Sequence, residues 1–353
     1  MNKKSLAILL SILAVLVFVG ILAGVQLVKP VEETGKGIDF VKGHMGGNEI
    51  ILLFGEQVSK DMSKKEIIGK TVPILNHPNI YGDQAAVLYR IKGENTIKPK
   101  IVDRSMREYV PMCGGFTQVF GKALMETDLA NHLGIEMNEG STEVILDTDS
   151  GRIPLEIVDG RTWTDMSSLL KYYYELGVDP IEVGGVNATK VGYFLVINTD
   201  DIKEKYPFCD FEKMDEKTLE TLMTIQRDWD ERHTPKGENW WYFCLYDLHP
   251  ERGGDVRATF PHCIQDRHIE PSCGTGTTAI AVAIAEREEL QKSHLLFEQG
   301  GSIEIGGVDL AETKMEIKNN KVIKLSFSHS FVEILAVGKL ILHEPTPLAN
   351  VGA

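Results

Sequence analysis

The pattern Cys-Gly-x-x-Thr-x5-Ala-x2-Glu occurs twice in this chain, over Cys113–Glu126 and again over Cys273–Glu286, 160 residues apart. A repeat at that distance divides the chain into two halves built around equivalent elements. Each copy opens a run of helix length, Phe116 to about His132 in the first and Thr275 to about Gln291 in the second. Each cysteine therefore stands at a helix start, where backbone N–H groups are unpaired and carry roughly half a positive charge. Such a setting lowers a thiol pKa from about 8.5 to as little as roughly 3.5–7.5. Two helix starts facing one another would also grip a carboxylate through backbone N–H groups. Cys209, Cys244 and Cys263 have no comparable setting and read as core packing or an adventitious disulfide.

With 353 residues, 43% of them hydrophobic and 25% charged, the chain is long enough for two globular domains and too ordinary in composition for disorder. The net charge, 37 − 51 = −14, argues against a nucleic-acid partner. Five cysteines, an odd number, are too few for a disulfide scaffold. There is no Cys-x-x-Cys, the histidines are scattered, and no dinucleotide fingerprint is present; Gly69-Lys70-Thr71 is not a phosphate loop, because Lys64 stands where the Gly-x4-Gly-Lys-Ser/Thr pattern needs its first glycine. The expectation is accordingly no metal and no cofactor.

The N-terminus has its own signature. After Met1-Asn2-Lys3-Lys4 the chain is uncharged from Ser5 to Val28. Those 24 residues would span roughly 36 Å as a helix at about 1.5 Å per residue, enough for a bilayer core of about 30 Å. We read residues 1–30 as a single membrane anchor. Lysines before it and Glu32-Glu33 after it place the remaining body on the extracytoplasmic side. Downstream, Ile50–Phe54, Val144–Leu146 and Val191–Ile197 have the length and composition of single strands, as do Lys321–Phe327 and Val332–Leu342. The acidic region 199–237 reads as helical surface.

Around its cysteines the sequence resembles the diaminopimelate epimerase and proline racemase superfamily of cofactor-independent amino-acid racemases. Met112-Cys113-Gly114 resembles the first cysteine motif, and Ser272-Cys273-Gly274-Thr275-Gly276-Thr277 the second. Upstream, Phe40-Val41-Lys42-Gly43-His44-Met45-Gly46-Gly47-Asn48-Glu49 and Gly82-Asp83-Gln84 are similar to the opening elements of the epimerases. Departures are visible. Gly115-Phe116 stand where epimerases carry Asn-Gly, and Asp266-Arg267-His268-Ile269-Glu270-Pro271 is nearer the Asp-Arg-x-Pro of proline racemases. Gly185-Val186-Asn187-Ala188 matches the epimerase Gly-Asn-Pro-His element only loosely.

The resemblance implies an α/β (α+β) fold of two pseudo-symmetric lobes, each a β-barrel-like sheet around a central helix. The first would cover 38–140, joined by 325–345, and the second 141–324. It implies a racemase or epimerase that inverts an α-carbon without pyridoxal phosphate, on a small amino-acid substrate that it does not name, and it is compatible with a homodimer. Removing an α-proton from one face and returning one to the other calls for two acid/base groups, which Cys113 and Cys273 would supply as thiolate and thiol. Gly114, Gly115, Gly274 and Thr275 would hold the substrate carboxylate as an oxyanion hole does. Asn48, Gln84, Asn187, Asp266 and Arg267 are the further substrate-binding candidates, and the bulk of Phe116 would narrow the site. Two rival readings are an isomerase or dehydratase of the same fold, and an amino-acid-binding protein with idle cysteines.

Overall fold

Between turns marked by Gly, Asn and Asp, short apolar runs among the described residues form an 18-stranded sheet. The computed structural model describes residues 37–58, 62–91, 94–233, 242–262, 268–287, 292–299 and 309–341. The apolar stretch 5–28 lies outside these, as do Cys263, Asp266 and Arg267. Among the described residues no helix is long and apolar enough to cross a membrane.

Strands β1 (Ile38–Met45) and β2 (Asn48–Phe54) form a hairpin across Gly46-Gly47. Both glycines have positive φ, +54° and +93°, a conformation that side chains disfavour. Helix α1 (Lys64–Leu75) starts with a reciprocal capping box between Ser63 and Glu66 and delivers the chain to β3 (Gln84–Ile91), parallel to β2. Strand β4 (Thr96–Asp103) returns antiparallel and sends off the short β5 (Glu108–Val110). Helix α2 (Gly114–Glu126) and the short α3 (Leu129–Leu133) follow. Next come β6 (Ser141–Thr148), parallel to β4, and the antiparallel β7 (Gly151–Val158) and β8 (Arg161–Asp165).

After α4 (Ser167–Leu176) and β9 (Val178–Val183) the same order recurs. Strands β10 (Val186–Val191) and β11 (Phe194–Asn198) pair antiparallel. Helices α5 (Thr199–Lys205) and α6 (Glu216–His233) lead to β12 (Tyr242–Asp247), parallel to β11. Strand β13 (Val256–His262) returns antiparallel and sends off β14 (His268–Glu270). Helix α7 (Gly274–Glu286) precedes β15 (His294–Glu298), parallel to β13. The antiparallel β16 (Leu310–Lys318) and β17 (Lys321–His329) complete the series. Strand β17 pairs with β8 and joins the halves, while β18 (Val332–Leu340) pairs back on β1.

The pairing order of β1–β8 is thus repeated by β10–β17, with a 13-residue helix at the same point in each. The first series runs to Asp165, past the residue-140 boundary expected from the sequence. Strands β7 and β8 pack against α2 together with β1, β2, β3 and β18. Val191–Ile197, expected as one strand, is two, because Gly192 turns the chain at φ +58°.

Helix α7 is apolar on nearly every side, as an enclosed helix must be, while α2 keeps one polar stripe, Gln118-Lys122-Glu126, whose far end reaches solvent. In α2 the residues from Gly114 to Gly121 are all buried, with Phe116 and Phe120 stacked at 5.7 Å. In α7 burial extends over nearly the whole length, on small Ala, Thr, Val and Ile side chains. The 199–237 region does more than cover surface: Leu222, Ile225 and Trp229 of α6 are fully buried in one apolar cluster with Leu195, Ile197, Phe243 and Leu245.

Asp309, just before β16, is a buried carboxyl whose two oxygens accept no hydrogen bond among the described residues. Burial pushes its pKa up to about 7. Because the folded state holds this proton more tightly than the unfolded chain, its contribution to stability is present at low pH and lost as pH rises towards 7. Asp309→Asn is therefore expected to be more stable than the parent at pH 8, and to lose about 2 kcal/mol less between pH 5 and 8. Chemical denaturation of both proteins at the two pH values checks this. Equal slopes would show that Asp309 titrates normally.

Candidate active site

The two cysteines occupy the same geometric role. Cys113 caps α2 with extended backbone (φ −143°, ψ 120°), and its Sγ accepts the Phe116 N–H at 3.2 Å. Cys273 caps α7 in the same way (φ −134°, ψ 109°), and its Sγ accepts the Gly276 N–H at 3.4 Å. The helix starts meet head-on. A Cβ placed on Gly114 would lie 2.6 Å from the Gly274 Cα, so the close approach requires glycine at both positions.

Around this meeting point lies a cavity of about 470 Å³ lined by both cysteines. Gly114, Gly115, Gly274 and Thr275 also line it, as does Asn48 from the start of β2. Asn48 Nδ2 donates to Glu270 Oε1 at 2.6 Å and to the Ser272 carbonyl at 3.2 Å, while its buried Oδ1 has no donor among the described residues. Gln84 is at the wall, with its amide already engaged: Oε1 accepts the Cys113 thiol at 2.6 Å, and Nε2 donates to Asp103 at 3.0 Å. It therefore holds the sulfur, where the sequence reading had it hold substrate.

Other expectations are not met. Asn187 is exposed on β10 and does not line the cavity. Phe116 is fully buried in the core beneath the site, so it cannot narrow the cavity. His44, in contrast, has the structural role expected of it and serves the β1–β2 turn, accepting the Gly47 N–H at 3.2 Å.

Several further residues line the cavity, among them Asp83 and Glu270, which stand inside the resemblance motifs but had no role expected of them. Glu270 sits on β14 three residues before Cys273. Asp83, half-buried, accepts the Glu49 N–H and faces Arg104 at 3.3 Å. Burial raises its pKa. Tyr173 is buried, and its hydroxyl donates to the Thr275 carbonyl at 3.0 Å, fixing the first turn of α7. Tyr172, Tyr193 and Phe194 give the cavity an aromatic wall.

The helix-start setting predicted lowered thiol pKa values, and the structure reverses that direction. Burial pushes the Cys113 thiol up to about 12, assisted by the charges of Glu270 and Asp103 and only partly offset by the N–H donors of its helix. Cys273 is raised well above the ordinary thiol value, again by burial first and Glu270 second. In this form both sulfurs are neutral thiols, consistent with the Cys113 S–H donating to Gln84.

No protein-family model and no curated protein matches the sequence. Solved structures do match. A hydroxyproline epimerase from Agrobacterium vitis, with bound trans-4-hydroxy-L-proline, is similar at 14% identity and a TM-score of 0.60, over 89% of this chain and 93% of that one. A probable proline racemase from Agrobacterium radiobacter K84 is similar at 13% identity and 0.60, over 88% and 95%. A methylitaconate-delta-isomerase is similar at 12% identity and 0.55, over 88% and 98%. With its duplicated strand order and paired helix starts, residues 38–340 have the fold shared by these epimerases, racemases and isomerases.

Proposed function

We propose that this protein is a cofactor-independent amino-acid racemase or epimerase, with Cys113 and Cys273 as its two acid/base groups. One observation carries the reading: two cysteines in identical cap geometry line one cavity from helices that meet end to end. A substrate α-carbon between them would offer one face to each sulfur. A thiolate on one side takes the α-proton and becomes a thiol, while the thiol on the other side gives up its proton and becomes the thiolate. The enzyme then stands ready for the opposite hand.

The charge that develops on the substrate carboxylate would meet the N–H groups of Gly114, Gly115, Gly274 and Thr275, already oriented by their helices at the cavity wall. The raised thiol pKa values fit the same scheme. Glu270 disfavours a thiolate at both sulfurs. A substrate ammonium bound against Glu270 and the unpaired Asn48 Oδ1 would cancel that charge. Thiolate formation is thereby tied to substrate binding.

The test is incubation in deuterated water with a panel of free L-amino acids, proline, hydroxyproline and meso-diaminopimelate, followed by mass spectrometry and chiral chromatography. One substrate is expected to gain α-deuterium with inversion. Tight binding of an amino acid with no exchange across the panel would leave a binding protein on this fold.

A further inference from the structure

The carbonyls of the two helix starts are joined by one unbroken chain of buried hydrogen bonds, and His329 at the end of β17 stands in its middle. In one direction the His329 backbone N–H donates to Gln118 Oε1 at 3.1 Å, and Gln118 Nε2 donates to Thr164 Oγ1 at 3.0 Å. Thr164 then donates to Thr117 Oγ1 at 2.8 Å, and Thr117 to the Gly114 carbonyl at 2.8 Å. In the other direction the link is the imidazole. Its Nδ1 accepts the Phe331 N–H at 3.1 Å, so the ring proton is on Nε2, which lies 3.1 Å from Ser272 Oγ. Ser272 donates to Gln299 Oε1 at 2.6 Å, Gln299 Nε2 donates to Thr277 Oγ1, and Thr277 donates to the Cys273 carbonyl at 2.5 Å.

Every donor in both arms points away from His329. Thr117, Gln118, Thr164, Ser272, Thr277, Gln299 and His329 are all buried, so none can trade its partner for water. Of the groups facing the imidazole, Asp309 Oδ1 is 3.1 Å from Nε2, and His44 and Arg161 each disfavour a positive ring. Burial likewise keeps the ring neutral, and a neutral ring with one proton is what the chain requires.

We propose that His329 is a positioning residue that couples the two cysteine-bearing helix starts, holding both in the register that lets their sulfurs face one substrate atom. Local capping cannot supply this coupling, because each cap bond closes within its own helix. The proposal rests on the reading of Cys113 and Cys273 as paired acid/base groups, and adds the device that keeps them paired.

The test uses the full-length protein with His329→Leu, His329→Gln and Thr164→Val. The amide of His329→Gln can place an N–H where Nε2–H stood. His329→Leu is expected to lower kcat about 30-fold for both hands with KM within about 2-fold, since small misplacements of reacting groups cost rate. His329→Gln is expected to stay within about 3-fold of the parent.

A second readout needs no substrate: iodoacetamide labelling of Cys113 and Cys273, followed by peptide mass spectrometry. Thr164→Val cuts only the Cys113 arm, yet is expected to change the labelling rate at Cys273 by at least about 3-fold. A Cys273 rate unchanged in Thr164→Val, or a Gln variant as impaired as Leu, would overturn the coupling. If His329→Leu does not fold, Thr164→Val decides the matter alone. If no amino acid is turned over, the labelling result still stands, so failure of the racemase reading and failure of this one are distinguishable.

Discussion

Cys113→Ser and Cys273→Ser are each expected to abolish inversion, lowering racemisation at least about 10³-fold, near the upper range for removal of a positioned acid/base group. The two variants should differ in what they retain. Each keeps one sulfur, which can remove a proton from its own face, exchange it with solvent and return it to the same face. Residual α-deuterium exchange without inversion is therefore expected, with one hand of substrate in one variant and the opposite hand in the other. Chiral separation before mass analysis reads this directly. A single variant that racemises within about tenfold of the parent would show that the two sulfurs are not the paired bases. The raised pKa adds a check on the free protein. Labelling of Cys113 by iodoacetamide should climb about tenfold per pH unit from 7 to 9 without levelling, because burial holds the thiolate population far below half throughout.

The other large effect is steric. Gly274→Ala would set a Cβ 2.8 Å from the Gly114 Cα and 2.9 Å from a ring carbon of Phe327. The first neighbour is backbone and cannot rotate aside, so the helix starts must separate. Overpacking of this kind costs about 1–3 kcal/mol of stability. A displacement of about 1 Å between reacting groups lowers turnover about 10²-fold. Both losses are expected together in thermal melts and exchange rates. Gly69→Ala is the contrasting control. Gly69 lies on the exposed side of α1 with nothing within 4 Å of an added Cβ, and alanine there should stabilise by up to about 1 kcal/mol. Full activity in Gly274→Ala would mean that the close contact is not needed for the chemistry.

What the sequence disclosed and what it withheld follow from the range of the interactions involved. The two helix starts were legible because a cap is a local device: Cys113 and Cys273 bond to N–H groups three residues on, and the motif contains all the participants. The membership of β8 in the first strand series was not legible, because it is set by pairing with β17, some 160 residues later. Glu270 and Asp103 were passed over for the same reason. Asp103 reaches Gln84 only through the β3–β4 register, and Glu270 reaches Asn48 across 222 positions. The thiol pKa direction was misjudged because the favourable field of a helix start is written in the sequence, whereas burial by the whole molecule is not. Gly192 shows the opposite case, a turn whose signal was present inside an apolar run and was outweighed by that run.

The pairing of β1 with β18 also bears on how the chain is made. Ile38 is in register with Leu340, and the bridge continues to Met45 opposite Val332. Strand β1 must therefore wait for β18, made roughly 290 residues later, before this edge is covered. Synthesis at about 5–20 residues per second leaves that edge open for many seconds after residue 45 has left the ribosome. The cavity, set between helix starts whose enclosing strands include both β1 and β18, cannot be completed before β18 has been made. A nascent or prematurely ended chain would accordingly carry its cysteines without a site to put them in.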